Sequence, residues 1–282
     1  MTQHVDSILR EIKSLEPLPE VAQRVLAISS RADVIPRELI AIIETDVAMT
    51  AKVLKLSNSA YYGFRREIAS IHEAGNLLGV SALVNLVLTA CTGRYFRNYG
   101  SSDHSSTRKL WESSVASALA ASLLANVLGG VDRNRAYTAG LLQNIGTIVL
   151  DRFVHGSQPE IEAALERGAS ALAAEEQVLG LHHAEVGARL AEKWGFPPVL
   201  VDTIRYHHEP ERATHDTTLA FIVHLGEQVA FALDGTQESG DVLELLRAGL
   251  APIGGTNEER LASVLAELEH EMEAAREFVA QS

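Results

Sequence analysis

The feature that most constrains this chain is a helical hydrophobic period running almost from end to end, with no convincing alternation of apolar and polar residues that would mark a strand. Val21, Val25 and Ile28 form one apolar stripe. Leu39, Ile40 and Ile43 form another, opened by Pro36 at a position helices favour in their first turn. Val47 to Leu56 reads as an amphipathic helix closing at Ser57-Asn58-Ser59. Ser70 and Glu73 have capping-box spacing ahead of a helix that stops at Gly79. Val80 to Tyr95 is apolar almost throughout, the mark of a central buried helix. Asn98 to Ser106 is the clearest polar break and the best linker candidate. Beyond it, helical patterns recur at 107–128, 133–153, 158–167, 170–179, 183–194, 197–208, 216–233, 240–249 and 257–279, with Gly or Pro at most of the stops. The expectation is an all-α chain: an N-terminal helical bundle over 1–100, a second helical subdomain over 107–235, and acidic C-terminal helices over 236–282.

Composition narrows the function. With 282 residues, 46% of them hydrophobic, the chain has the material for a real core. Its one cysteine, Cys91, cannot form an intramolecular disulfide. Met1 to Glu16 carries charges throughout, and no apolar run approaches the roughly 20 residues that span a bilayer. A cytoplasmic protein without membrane insertion is expected. A formal net charge of −13 opposes binding to phosphate backbones, so no DNA partner is expected. Arg94, Arg97, Arg108 and Lys109 flank the linker with Tyr95, Phe96 and Tyr99. Such a mixture can stack on single strands, but ordinary helix ends beside a loop explain it. From Glu211 onward, 14 acidic residues face four basic ones, either as solvated helix surface or as a docking face for a basic partner.

Among the 11 histidines, two adjacent pairs stand out, His182-His183 at the start of one helix and His207-His208 at the end of the next. Val201, Ile204 and His208 share a helix face, but the same test admits His207 through Leu200 and Ile204. Upstream, the face through Leu141 and Ile148 presents Asn144, with Gln143 beside it. These amides hydrogen-bond well but bring no charge, and a hydrolytic metal needs carboxylates and an open water position. The residues alone reach a polar pocket with two histidines and neutral partners. A separate loop, Asn58 to Gly63 with Phe64-Arg65-Arg66, has two readings. Tyr61 and Tyr62 pack an inter-helix turn begun by Asn58, or Asn58, Tyr61, Tyr62, Arg65 and Arg66 form an interaction surface of the residue types enriched at interfaces.

In order along the chain stand Leu18-Pro19-Glu20-Val21-Ala22, Ile43-Glu44-Thr45-Asp46-Val47-Ala48-Met49, Asn58-Ser59-Ala60-Tyr61-Tyr62-Gly63 and Ile68-Ala69-Ser70-Ile71. They are followed by Leu110-Trp111, Ala139-Gly140-Leu141-Leu142, His183-Ala184-Glu185-Val186-Gly187 and His207-His208-Glu209-Pro210. This series resembles the HDOD domain (HD-related output domain) of bacterial signalling proteins, from about residue 12 to about 230. That family is a degenerate relative of the HD and HD-GYP metal-dependent phosphohydrolases, so the resemblance implies an N-terminal bundle packed on an HD-like helical subdomain. HD enzymes hold metal with an early His, a central His-Asp doublet, further histidines and a late Asp. Carried over, the early His falls on Ser113, the doublet on Gln143-Asn144 and the late Asp on Glu227. Of these positions, only His183, His208 and Glu227 keep ligand chemistry.

The resemblance implies no catalysis, no resident metal and no cofactor. It implies a regulatory module acting through protein partners in a signalling pathway, with a cyclic dinucleotide or other nucleotide in the vestigial pocket as one alternative. Residual phosphodiesterase chemistry on His183, His208 and Glu227 is the other.

Overall fold

Local signals set where the helices begin. Asp46, Ser70, Asp132 and Ser170 each accept a hydrogen bond from a backbone N–H of the first turn that follows them, and Pro36 and Pro198 open helices where a missing N–H costs nothing. The computed structural model describes residues 2–29, 35–99, 104–234, 239–253, 259 and 262–270. Among these residues the only regular structure is helical, and no helix is long and apolar enough to cross a membrane.

The N-terminal lobe contains α1 (Thr2–Ser14), α2 (Glu20–Ser29), α3 (Pro36–Glu44), α4 (Val47–Ser57), a 3-10 turn at Ala60–Tyr62, α5 (Ile71–Leu78) and α6 (Val80–Tyr99). The C-terminal lobe contains α7 (His104–Leu128), α8 (Arg133–Leu142), α9 (Thr147–Gly156), α10 (Gln158–Glu166), α11 (Ala171–Leu179), α12 (His183–Lys193), α13 (Pro198–Tyr206), α14 (Thr217–Asp234) and α15 (Ser239–Leu250). Two lobes do not mean two cores. One continuous apolar cluster runs from Ile8 to Leu268, because α6 packs against α2 and α4 on one side and α7 and α8 on the other. In the C-terminal lobe α7 is the axis, flanked by α8 and α14. A Cβ on Gly226 of α14 would lie 2.8 Å from the Ala121 backbone nitrogen, so only glycine lets these two helices meet there.

Several expectations need correction. The pattern at 133–153 is two helices, because the chain turns at 143–146 between α8 and α9. The charged N-terminus contains a helix, α1, whose Ile8 and Ile12 are buried. The polar stretch 98–106 is mostly helix end: α6 runs to Tyr99 and α7 starts at His104, with 100–103 outside the described residues. Of the last helical pattern, 262–270 is helical and most of the remainder lies outside the described residues. Tyr95 and Phe96 are core residues, so they are not free to stack on bases, while Arg94, Arg108 and Lys109 are exposed. The Arg97 and Tyr99 side chains lie outside the described residues. Burial pushes the Cys91 thiol up to about 12, which leaves it unreactive.

Candidate functional site

Five elements build the site: the turn after α8, the start of α12 and the end of α13, with α11 and α14 adding Glu175, His224 and Glu227. The approach of the first two is backbone on backbone. A Cβ on Gly146 would sit 2.0 Å from the His183 carbonyl oxygen and 2.4 Å from the Gly187 nitrogen. Glycine at 146 is therefore what lets the turn that carries Gln143 and Asn144 pack against the start of α12.

His182 caps α12, its Nδ1 accepting from the Glu185 N–H at 3.3 Å, and this frees His183 to point inward. Glu175 on α11 accepts from both the His183 backbone N–H and its Nδ1, each at 2.8 Å. That carboxylate fixes the tautomer and leaves the His183 Nε2 lone pair facing the site. His208 Nε2 lies 3.0 Å from His183 Nε2 and donates to it. His207, fully buried, donates Nδ1–H to the Ile204 carbonyl at 2.8 Å, and its Nε2 has no hydrogen-bond partner among the described residues. His224 donates to the His207 carbonyl at 2.7 Å and completes the wall. His183, His207 and His208 each offer one nitrogen, all within 4.8 Å of one another.

Burial and neighbouring rings hold His207 and His208 neutral. Burial, reinforced by the neighbouring His183, pulls His207 down to about 3. Burial and His207 together bring His208 to about 3 against the opposing pull of Glu227, whose carboxylate is 3.8 Å away. Neutral imidazoles are the form that binds metal.

Each residue expected at the site has a definite place. Asn144 donates its side-chain amide to Glu227, so these two are joined and stand next to His208. Gln143 is sealed in the interior with neither amide atom hydrogen-bonded among the described residues. Ser113 is exposed on α7 and makes no side-chain hydrogen bond to the cluster, whereas its neighbour Ser114 is buried. The loop residues divide. Asn58 is a clamp: its amide donates to the Leu54 and Ile68 carbonyls and its oxygen accepts from the Ile68 N–H at 2.7 Å, closing the loop on itself. Tyr61 and Tyr62 are half-buried against the core, Arg65 is exposed, and Arg66 pairs with Glu73 at 2.8 Å.

Sequence reasoning missed Glu175, His207 and His224. The face test admitted His207 and did not choose it. Glu175 lies on a different helix from His183, where no local spacing points to it.

The donors can be tested against the metal that the HD fold implies. Three histidines converging on one point suit a single tetrahedral ion of zinc type with an open fourth position. They do not suit a bridged pair of metals, because the doublet contributes two amides and no carboxylate.

A model of the HDOD domain matches residues 15–210. Over 231 residues the chain is 29% identical to a protein of Treponema pallidum, covering 78% of this chain and 44% of that protein. Over 108 residues it is 32% identical to ribonuclease Y of Thermus thermophilus, covering 38% of this chain and 14% of that protein. The chain thus spans less than half the length of these relatives. Among solved structures, a Shewanella amazonensis protein bearing a phosphohydrolase name superposes with a TM-score of 0.80 at 24% identity, covering 97% of both chains. An HDOD domain protein from Geobacter sulfurreducens gives 0.75 at 23% identity, covering 97% of this chain and 99% of that one. These two likenesses confirm the two-lobed helical fold, and the family match over residues 15–210 places the chain in the HDOD domain family, degenerate relatives of the HD and HD-GYP domains.

Proposed function

We propose that this chain is a cytoplasmic regulatory module of a bacterial signalling pathway, acting through contacts with protein partners and not through hydrolysis. HDOD membership carries a family-level role in signalling. The observation that supports a non-catalytic module is the Asn144–Glu227 hydrogen bond. Where an HD enzyme needs a carboxylate to hold or bridge metals, this chain has an amide, and that amide occupies the one remaining acidic candidate beside His208. Gln143, sealed in the interior, has no route to a substrate. A nucleotide sensor in this pocket draws less support, since His183 and His208 are already bonded to each other.

The convergence of His183, His207 and His208 favours a second reading, a one-metal site with residual phosphodiesterase activity. Metal analysis of untagged protein purified without chelators separates the two. Under the first reading, transition metal stays below about a tenth of an equivalent. About one equivalent, lost together in His183→Ala and His207→Ala, would sink it and make phosphodiesterase assays decisive.

A further inference from the structure

A cavity lies between the lobes, away from the histidines. It holds about 260 Å³, and its wall joins the turn residues Tyr61 and Tyr62 and Leu77 of α5 to Asn85 of α6, Ser122 of α7 and Arg133 at the start of α8. The two tyrosine rings stand edge to face at 4.9 Å, giving an aromatic surface rigid enough to pack a flat ring.

The polar side of the cavity is prearranged and partly unspent. Thr138 donates to the Asn85 oxygen at 3.0 Å, and the Asn85 amide donates to the Asn134 oxygen at 3.2 Å, so the orientation of both amides is fixed. That orientation leaves the Asn134 side-chain NH₂ without an acceptor among the described residues. Ser122, although buried, has no side-chain hydrogen bond there either, and Arg133 is an exposed guanidinium with no ion pair among the described residues. An unpaired arginine beside unspent donors is notable in a chain of net charge −13. Structural tyrosines and amides alone would not call for it.

The geometry points to a small-molecule site between the lobes that takes one planar aromatic ring bearing an anionic group. The ring packs on Tyr61 and Tyr62, its polar edge meets Asn134 and Ser122, and the anion meets Arg133. The volume is below the roughly 300–1,000 Å³ of pockets for drug-sized ligands, which suits a mononucleotide or an aromatic acid. Because the wall belongs to both lobes, an occupant would fix their relative placement. This inference does not depend on whether the histidine cluster is catalytic.

Titration calorimetry of the full chain tests it, with guanosine monophosphate and 4-hydroxybenzoate as separate probes and guanosine as the uncharged control. The expected result is that one of the two anions binds with a dissociation constant below about 1 mM. Arg133→Ala, at an exposed position that does not threaten folding, weakens it roughly tenfold or more, as loss of a charge-assisted contact should. Ala82→Trp, which fills the cavity, abolishes it. If guanosine monophosphate is the one that binds, guanosine binds no better than the Arg133→Ala variant binds the nucleotide. Failure of both anions to bind at about 5 mM overturns the proposal, as does binding that persists in Ala82→Trp or is indifferent to Arg133→Ala.

Discussion

At the scale of single residues, His207 has the largest consequence. It is held neutral in the interior, at about 3, while in the unfolded chain it titrates near 6.5. The unfolded state therefore takes up a proton that the folded state refuses. The stability contribution of the neutral ring is fully present above about pH 6.5 and is lost progressively as the pH falls toward 3. One proton corresponds to a slope of about 1.4 kcal/mol per pH unit across that window. Urea midpoints of chelator-treated protein between pH 6 and 4 should fall steeply, and His207→Phe should flatten the fall by about that slope. An unchanged slope in the variant would mean that the proton goes elsewhere. The sequence hinted at this residue without selecting it, since helical periodicity places His207 and His208 within one step of each other around α13. Only the end of that helix at Tyr206 turns the first ring fully inward and leaves the second at the pocket.

At the scale of elements, most helix starts were legible because capping chemistry is local: the Ser70 and Glu73 spacing and Pro36 mark the observed boundaries. The break between α8 and α9 was not legible. Leu141, Ile145 and Ile148 are all buried, and their spacing continues a helical stripe across 143–146, so periodicity has no reason to stop there. What breaks the helix is tertiary. The turn must pass within backbone contact of α12, and glycine at 146 permits that approach. Gly146→Ala should force α12 and His183 away from the turn, costing about 3 kcal/mol or more because the obstacle is main chain and cannot rotate aside. Denaturation midpoints would report the loss. Imidazole NMR signals would report the separation of His183 from His208, and unaltered imidazole signals in a folded variant would contradict this account of the turn.

For the whole molecule, the question is what holds α1 to a lobe that follows it by more than a hundred residues. The apolar face through Ile8 and Ile12 supplies part of the answer, packing toward α9 and α12. The polar part converges on Lys193 at the end of α12. Its ammonium donates to the carbonyls of Ile12, Lys13 and Leu15 at 2.9, 2.9 and 2.6 Å, satisfying acceptors that the end of α1 leaves without helical partners. Tyr95 of α6 reaches the next carbonyls, Glu16 and Pro17, so two distant helices close on one stretch of backbone. A positive charge at a helix C-terminus in a partly buried setting is worth up to about 2 kcal/mol. Lys193→Met keeps the aliphatic stem and removes the charge, so the melting temperature should fall by a few degrees, about 2–4 °C per kcal/mol for a chain of this size. Because the lost contacts are local, hydrogen exchange should accelerate in α1 first and leave α7 and α14 protected. Uniform acceleration across all helices would instead mean that α1 is no separable strap, and that the shared core alone joins the two lobes.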